Sequence, residues 1–252
     1  MNIRKYNILV TRPEHQAEGL CDLIEQQGWH SVRFPTLKIE AVNNATIQLQ
    51  LETIDQYDWL IFISANAVNF AVLANDGKIG IFEDSSIAVV GSATEKALKA
   101  FGMTISLAPE TRFNSEGLLE TEQMNQIQNK SCLIVRGKGG REVLANSLRE
   151  RGAKVDYMEV YSRKMPISDS LQLTEMIQHQ LLDVVTITSG DALKNLLLML
   201  GKKYHEKIFS VPLVVISNRI KKIAENIGFK RVIVTERPAD RAIIKAIYDE
   251  FV

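Results

Sequence analysis

The sequence predicts an α/β protein built on parallel sheets, and three observations carry that expectation. Short apolar runs alternate with segments whose apolar residues recur at helical spacing. The turns that join run to helix are made of Gly, Ser, Thr and Asn. The chain also repeats itself. Val10 and Val135, Asp58 and Asp183, and Val89 and Val214 each stand 125 residues apart. Asp58-Trp-Leu-Ile-Phe-Ile-Ser matches Asp183-Val-Val-Thr-Ile-Thr-Ser in pattern, so two similar β/α halves are expected.

Ile8–Val10 is the first strand, and Pro13 suits the first turn of the following helix. Ala17, Leu20, Leu23 and Ile24 form the buried face of that helix, and Gly28 closes it. Ser31–Phe34 returns as a strand. Leu37–Glu40 alternates apolar and charged residues, the pattern of an edge strand. Ile47, Leu51 and Ile54 allow a short helix. Trp59–Ile63 and Ile87–Val90 are strands, each followed by a helix, and Ile105–Leu107 is expected to be another. Ser115–Met124 is read as one helix. Leu133–Val135, Lys154–Tyr161, Val184–Thr188, Leu213–Ile216 and Val232–Val234 complete the strands, with helices after all but the second leading directly from the turn.

The stretch Cys132–Glu142 is the most informative. A buried strand ends at Arg136, and Gly137, Gly139 and Gly140 then let the backbone turn tightly. The helix that follows puts Val143, Leu144 and Leu148 on one face. Arg136, Lys138 and Arg141 surround the turn, and a helix N-terminus attracts anions. The spacing is neither G-x-G-x-x-G nor a P-loop, and glycines after a strand also serve packing.

The chain has 252 residues with 30 Lys+Arg against 30 Asp+Glu, so no overall field draws it to nucleic acid or membrane. Cys21 and Cys132 make neither a disulfide framework nor a metal site, and the four histidines lack ligand spacing, so no metal is expected. The start runs into a strand without a signal-like apolar stretch, and a soluble cytoplasmic protein is expected. No G-x-S-x-G elbow occurs.

Two exposed strand-like segments, residues 36–40 and 159–165, each follow the first strand–helix–strand unit of a half. Paired as an antiparallel ribbon, they would divide the chain into a discontinuous lobe, 1–35 with 166–252, and an inserted lobe, 41–158. A plain division into N-terminal and C-terminal halves is the alternative. Ligands of doubly wound sheets bind beyond the C-terminal strand ends. The candidate binding residues are therefore Arg12, Ser64, Asn66, Ser92, Thr94, Arg136, Gly137, Gly139, Gly140, Arg141, Ser189, Gly190 and Ser217. Ser and Asn before a helix are also ordinary N-caps, worth about 1 kcal/mol each. As a set they suit a ligand with several carboxylates or phosphates.

Ile8-Leu-Val-Thr-Arg-Pro13, Phe62-Ile-Ser-Ala-Asn66, Val90-Gly-Ser-Ala-Thr94, Val135-Arg-Gly-Lys-Gly-Gly-Arg-Glu142, Val160-Tyr161, Thr188-Ser189 and Val215-Ile-Ser-Asn-Arg219 together resemble the uroporphyrinogen-III synthase family, in its bacterial form. The resemblance implies two flavodoxin-like lobes joined by a two-stranded antiparallel ribbon, one lobe discontinuous, with the site between them. It implies a monomer without metal or organic cofactor that converts hydroxymethylbilane to uroporphyrinogen III in haem biosynthesis. Hydroxymethylbilane synthase is the transient partner it implies, with no nucleic acid and no membrane. It assigns the proton donor to Tyr161. Many members carry Gly-x-x-Thr where Ser217-Asn218-Arg219-Ile220 stands here, so that threonine's role does not carry over. The rival readings are a non-catalytic bilobed binding protein for a polyanionic metabolite, a nucleotide-sugar transferase and a DNA-binding regulator. The first uses the same turns without turnover, and the other two lack their sequence signals.

Overall fold

A computed structural model describes residues 5–82 and 84–251. The chain divides into two compact units, Met1–Lys38 with Lys164–Val252, and Ile39–Arg163. Each holds one five-stranded sheet with helices on both faces.

In the first unit, β1 (Asn7–Val10), β2 (His30–Arg33), β8 (Val184–Ile187), β9 (Leu213–Val215) and β10 (Val232–Val234) lie in the order β10-β9-β8-β1-β2. Every neighbouring pair is parallel. Helix α1 (Glu14–Gln26) buries Ala17, Leu20, Cys21 and Ile24, and packs on one face with α12 (Asp240–Phe251). Cys21 takes the place expected for Leu23, which is half-buried. Each buried Leu or Ile contributes roughly 1.5–3 kcal/mol. The other face carries α8 (Leu171–Gln178), α9 (Gly190–Leu200), α10 (His205–Phe209) and α11 (Asn218–Ile227). The strand order therefore reverses between β1 and β8, whose following helices cover opposite faces.

The second unit orders β3 (Lys38–Ala41), β7 (Lys154–Lys164), β6 (Ser131–Gly137), β4 (Trp59–Phe62) and β5 (Ser86–Val89) as β3-β7-β6-β4-β5. β4 runs parallel to β5 and β6, and β6 to β7. The alternating segment read as an edge strand is β3, at the sheet's edge, and Val42 N donates to Val160 O beside it at 2.9 Å. On one face lie α2 (Ala45–Glu52), α3 (Ala65–Ala74) and α4 (Ser92–Ala100). The other carries α5 (Ser115–Leu119), α6 (Glu122–Asn125) and α7 (Val143–Glu150). Here the reversal falls between β4 and β6.

The repeat has a structural meaning. Shifted by its spacing, β9-β8-β1-β2 corresponds to β5-β4-β6-β7, the same order in both sheets. Asp183 and Asp58 do the same work: one carboxylate accepts from Asn7 N at 2.9 Å, the other from Ser131 N at 2.8 Å. Each thereby ties two central strands together. The expected strand Ile105–Leu107 is not formed. Only Leu107 bridges, to Ala88 of β5, in the place that β10 holds beside β9. Pro109, which has no N–H to donate, follows two residues later. The helix expected over 115–124 is two short helices, broken where Thr121 Oγ1 donates to Leu118 O and the chain restarts. Val143 is exposed; Leu144, Ala145 and Leu148 form the buried face of α7.

Candidate active site

The C-terminal ends of β4 and β6 meet at the reversal point of the second sheet, the position where doubly wound folds open a crevice. Ser64 follows β4 and caps α3: its Oγ accepts from Ala67 N at 3.1 Å. The same Oγ lies 3.1 Å from Tyr161 Oη. Arg163, two residues along β7 and so on the same face of the strand, donates from its guanidinium to Tyr161 Oη at 3.0 Å. The Tyr161 ring is fully buried and stacks on Phe70 of α3, centroids 5.6 Å apart.

Gly137 makes room for that ring. β6 and β7 pair in regular register up to Arg136 and Glu159, then slip so that Gly137 faces Tyr161. A Cβ at 137 would stand 2.4 Å from Tyr161 Cε2 and 2.5 Å from Cζ. Lys138 N donates to Tyr161 O at 2.6 Å and fixes the strand end. The bulge thus aims the phenol at Ser64, as bulges beside sites re-aim side chains.

Arg136 turns inward. It is 2 % exposed, and its guanidinium donates to Gly137 O at 3.3 Å, to Gly139 O and to Glu142 Oε1 at 3.2 Å. It also lies over the Tyr157 ring, 4.6 Å from the centroid. A Cβ on Gly140, whose φ is +116°, would meet Arg136 Nη2 at 2.6 Å. Arg136 therefore shapes the glycine loop from within. Glu142 holds this cluster together. The Tyr157 hydroxyl donates to it and, with Arg136, holds its carboxyl below the usual range. Burial first, and Glu142 second, push the Tyr157 phenol up. Gly139, at φ +71°, donates its N–H to Glu159 Oε1 at 2.9 Å. Arg141 is exposed, 3.6 Å from Glu116. Ser92 is exposed on the first turn of α4, Asn66 is half-buried on α3, and Thr94 is buried.

In the first unit the candidates sit on the corresponding rim. Arg12 pairs with Asp240 at 2.5 Å, at the start of α12. Ser189 caps α9, accepting from Ala192 N at 3.0 Å, and Gly190 opens that helix. Ser217 caps α11, accepting from Ile220 N at 3.4 Å. Ser64 and Ser189 are equivalent in the repeat, and Ser64 is the one of the two with a phenol at its hydroxyl.

The structure thus gathers Ser64, Gly137 and Tyr161 into one constellation, and adds Arg163 and Phe70, which the sequence reading did not name. Arg163 had a usable signal, since a residue two along a strand from a tyrosine shares its face. Phe70 had none, because its contact depends on how α3 packs. Among the described residues no cluster of His, Cys, Asp and Glu is placed to hold a metal, and no helix is long and apolar enough to cross a membrane.

The chain is similar to known proteins over most of its length. The family model described as uroporphyrinogen-III synthase HemD matches residues 18–245. The uroporphyrinogen-III synthase of Escherichia coli is 29 % identical over 246 residues, covering 96 % of this chain and 99 % of its own. Among solved structures, a mutant uroporphyrinogen III synthase of Thermus thermophilus matches with a TM-score of 0.66 at 17 % identity, over 97 % of this chain and 98 % of that one. The enzyme of Helicobacter pylori matches with a TM-score of 0.66 at 14 % identity, over 98 % and 100 %. These two likenesses are of fold. The chain belongs to the uroporphyrinogen-III synthase family.

Proposed function

We propose that this protein is a uroporphyrinogen-III synthase, a lyase that closes hydroxymethylbilane to uroporphyrinogen III with loss of water and inversion of the terminal pyrrole ring. The observation that carries the reading is the pair of hydroxyls, Ser64 and Tyr161, held beside the Arg163 cation at the strand-end rim of a family member.

The chemistry asks little of a protein in the way of nucleophiles. The pyrrole nitrogen's lone pair expels the hydroxyl and leaves an electrophilic azafulvene. A substituted carbon of the terminal ring attacks it, and the resulting spiro intermediate rearranges. The protein contributes a general acid for the departing hydroxyl and a geometry that favours the substituted carbon. The acidic proton comes from the hydrogen-bonded pair of hydroxyls that includes Tyr161. Gly137 and Phe70 fix its ring, and Ser64 and Arg163 fix its oxygen. Each unit's rim, taken by itself, offers N–H donors or cations suited to carboxylates such as the substrate's acetates and propionates: Ser92, Asn66, Gly139, Gly140 and Arg141 in the second unit, and Arg12, Ser189, Gly190 and Ser217 in the first. Arg136 and Thr94 serve by shaping those turns from inside.

In this reading both units are flavodoxin-like lobes, a description that their strand orders support. Segments 36–40 and 159–165 connect them as a two-stranded ribbon. The enzyme works as a cytoplasmic monomer without a cofactor and receives its unstable substrate from hydroxymethylbilane synthase.

A coupled assay tests the reaction. Hydroxymethylbilane synthase makes the substrate in situ, this protein is added, and the uroporphyrin isomers are separated after oxidation. Isomer III is expected to dominate. Isomer I alone from folded protein, the outcome of unassisted closure, refutes the proposal.

A further inference from the structure

A proton on a side chain with no exposed surface reaches a ligand through a neighbour, and that condition applies to Tyr161. Its ring lies between Phe70 and the Gly137 backbone, and the residue is 0 % exposed. Among the described residues its oxygen has two hydrogen-bond partners. Arg163 can only donate, so it occupies one lone pair of Oη. The other partner is Ser64 Oγ, at 3.1 Å, and either hydroxyl can donate in that contact. Ser64 already accepts from Ala67 N, which anchors its oxygen on the helix cap without using its proton. It is half-buried, open on the rim where Tyr161 is closed.

We propose that Ser64, not Tyr161, is the group that protonates the substrate, and that Tyr161 recharges it from behind with Arg163 facing the phenolate. The inference rests on the proposed reaction and assigns its proton path. As the C–O bond of the hydroxymethyl group breaks, the Ser64 Oγ–H proton moves to the departing oxygen, and water leaves with the bonding pair. The pyrrole nitrogen's lone pair fills the vacancy at carbon. The Tyr161 Oη proton moves to Ser64 Oγ in the same event, so no alkoxide accumulates. The guanidinium of Arg163, already hydrogen-bonded to Oη, opposes the negative charge left on the phenolate. When the ring carbon that closes the macrocycle later loses its proton, that proton returns through Ser64 Oγ to Tyr161. One water is released and all three side chains regain their starting states. Ser64 is then the catalytic residue, and Tyr161, Arg163 and Gly137 act through it.

Groups in series give losses that do not add. The coupled assay is run on Ser64→Asn, Tyr161→Phe and their double variant. Asparagine keeps the helix cap but has no proton to relay. Each single variant is expected to lose roughly a hundredfold in kcat with KM little changed, and the double variant no more than either alone. Ser64→Thr, which retains a hydroxyl, is expected to recover most of the loss. Ser64→Gly, a tolerated cap without a side chain, repeats the test should the asparagine variant fold poorly. The relay is overturned by a Ser64→Asn enzyme with near-normal kcat, by losses that multiply in the double variant, or by a loss confined to KM. A wild-type protein that yields isomer I alone defeats the reaction itself, and the relay with it. One that yields isomer III, with Ser64→Asn equally active, defeats the relay only.

Discussion

The methyl of an alanine at position 137 would stand 2.4 Å from Tyr161 Cε2, against a fully buried ring stacked on Phe70. Gly137→Ala therefore has to push the phenol away from Ser64. Misplacing a reacting group by about 1 Å costs on the order of a hundredfold in rate, so kcat in the coupled assay should fall by about that factor. The melting transition should remain cooperative, since the ring moves but the cores do not. Arg136 is expected to behave in the opposite way. Arg136→Met keeps the bulk of the side chain but strips hydrogen bonds from the Gly137 and Gly139 carbonyls. Urea unfolding should show a loss of about 3 kcal/mol. The sequence could not reveal this difference. An arginine beside glycines reads as an anion ligand because arginines are rarely buried. Its guanidinium is held inside by the Tyr157 ring, the Gly137 and Gly139 carbonyls and Glu142, contacts that depend on how the strand end folds. The register slip after Arg136 places Tyr161 at Gly137, which no local pattern announces.

At the scale of elements, Asp58 shows how a strand end is secured. Bonds from Lys130 first, and then from the backbone and hydroxyl of Ser131, lower its carboxyl from 3.8 to about 2. A lowered folded-state pKa gives stability that is fully present above the unfolded value and is lost as pH falls towards 2. The full shift would correspond to about 2 kcal/mol; the site's solvent exposure reduces this to about 1. Asp58→Asn should thus flatten the stability curve between pH 4 and 2, followed by chemical denaturation at each pH. The elements themselves were mostly legible. Apolar runs such as Trp59–Phe62 and Val184–Ile187 are buried strands of the parallel sheets. Serines 64, 189 and 217 begin helices because a hydroxyl there satisfies an orphan N–H. The expectations failed where tertiary pairing decided. Ile105–Leu107 has the composition of a strand, yet only Leu107 forms a ladder bridge with β5. Thr121 looks compatible with a helix, yet its hydroxyl turns back to Leu118 O and breaks it.

Considered whole, the molecule has one thiol in each compact unit, Cys21 on α1 and Cys132 on β6, both fully buried. Burial raises both, Cys132 to about 12, so neither is a ready nucleophile. A thiol reagent should label neither in the native protein, and mass spectrometry of the labelled peptides during urea unfolding should time the opening of each unit separately. The internal repeat makes a second expectation natural. Residues 39–163 contain a whole sheet and both of its helical faces. That fragment should fold cooperatively by itself in a circular dichroism melt, whereas 164–252, which lacks β1, the strand that flanks β8, should not.

That missing neighbour has a consequence for how the protein is made. Strand β1 lies between β2, which follows it closely, and β8, which begins at Val184. A ribosome adding roughly 5–20 residues per second needs on the order of 10–30 s to travel from the end of β2 to the end of β8. Throughout that interval the second unit can complete its sheet, while β1 has only β2 beside it. Two strands and a helix are marginal by themselves. The apolar edge of β1, with Ile8, Leu9 and Val10, is then open to any passing strand. The nascent chain thus carries a long-exposed adhesive surface in the β1–β2 segment, and a chaperone that shields that segment would raise the yield of native protein more than one acting after β8 emerges.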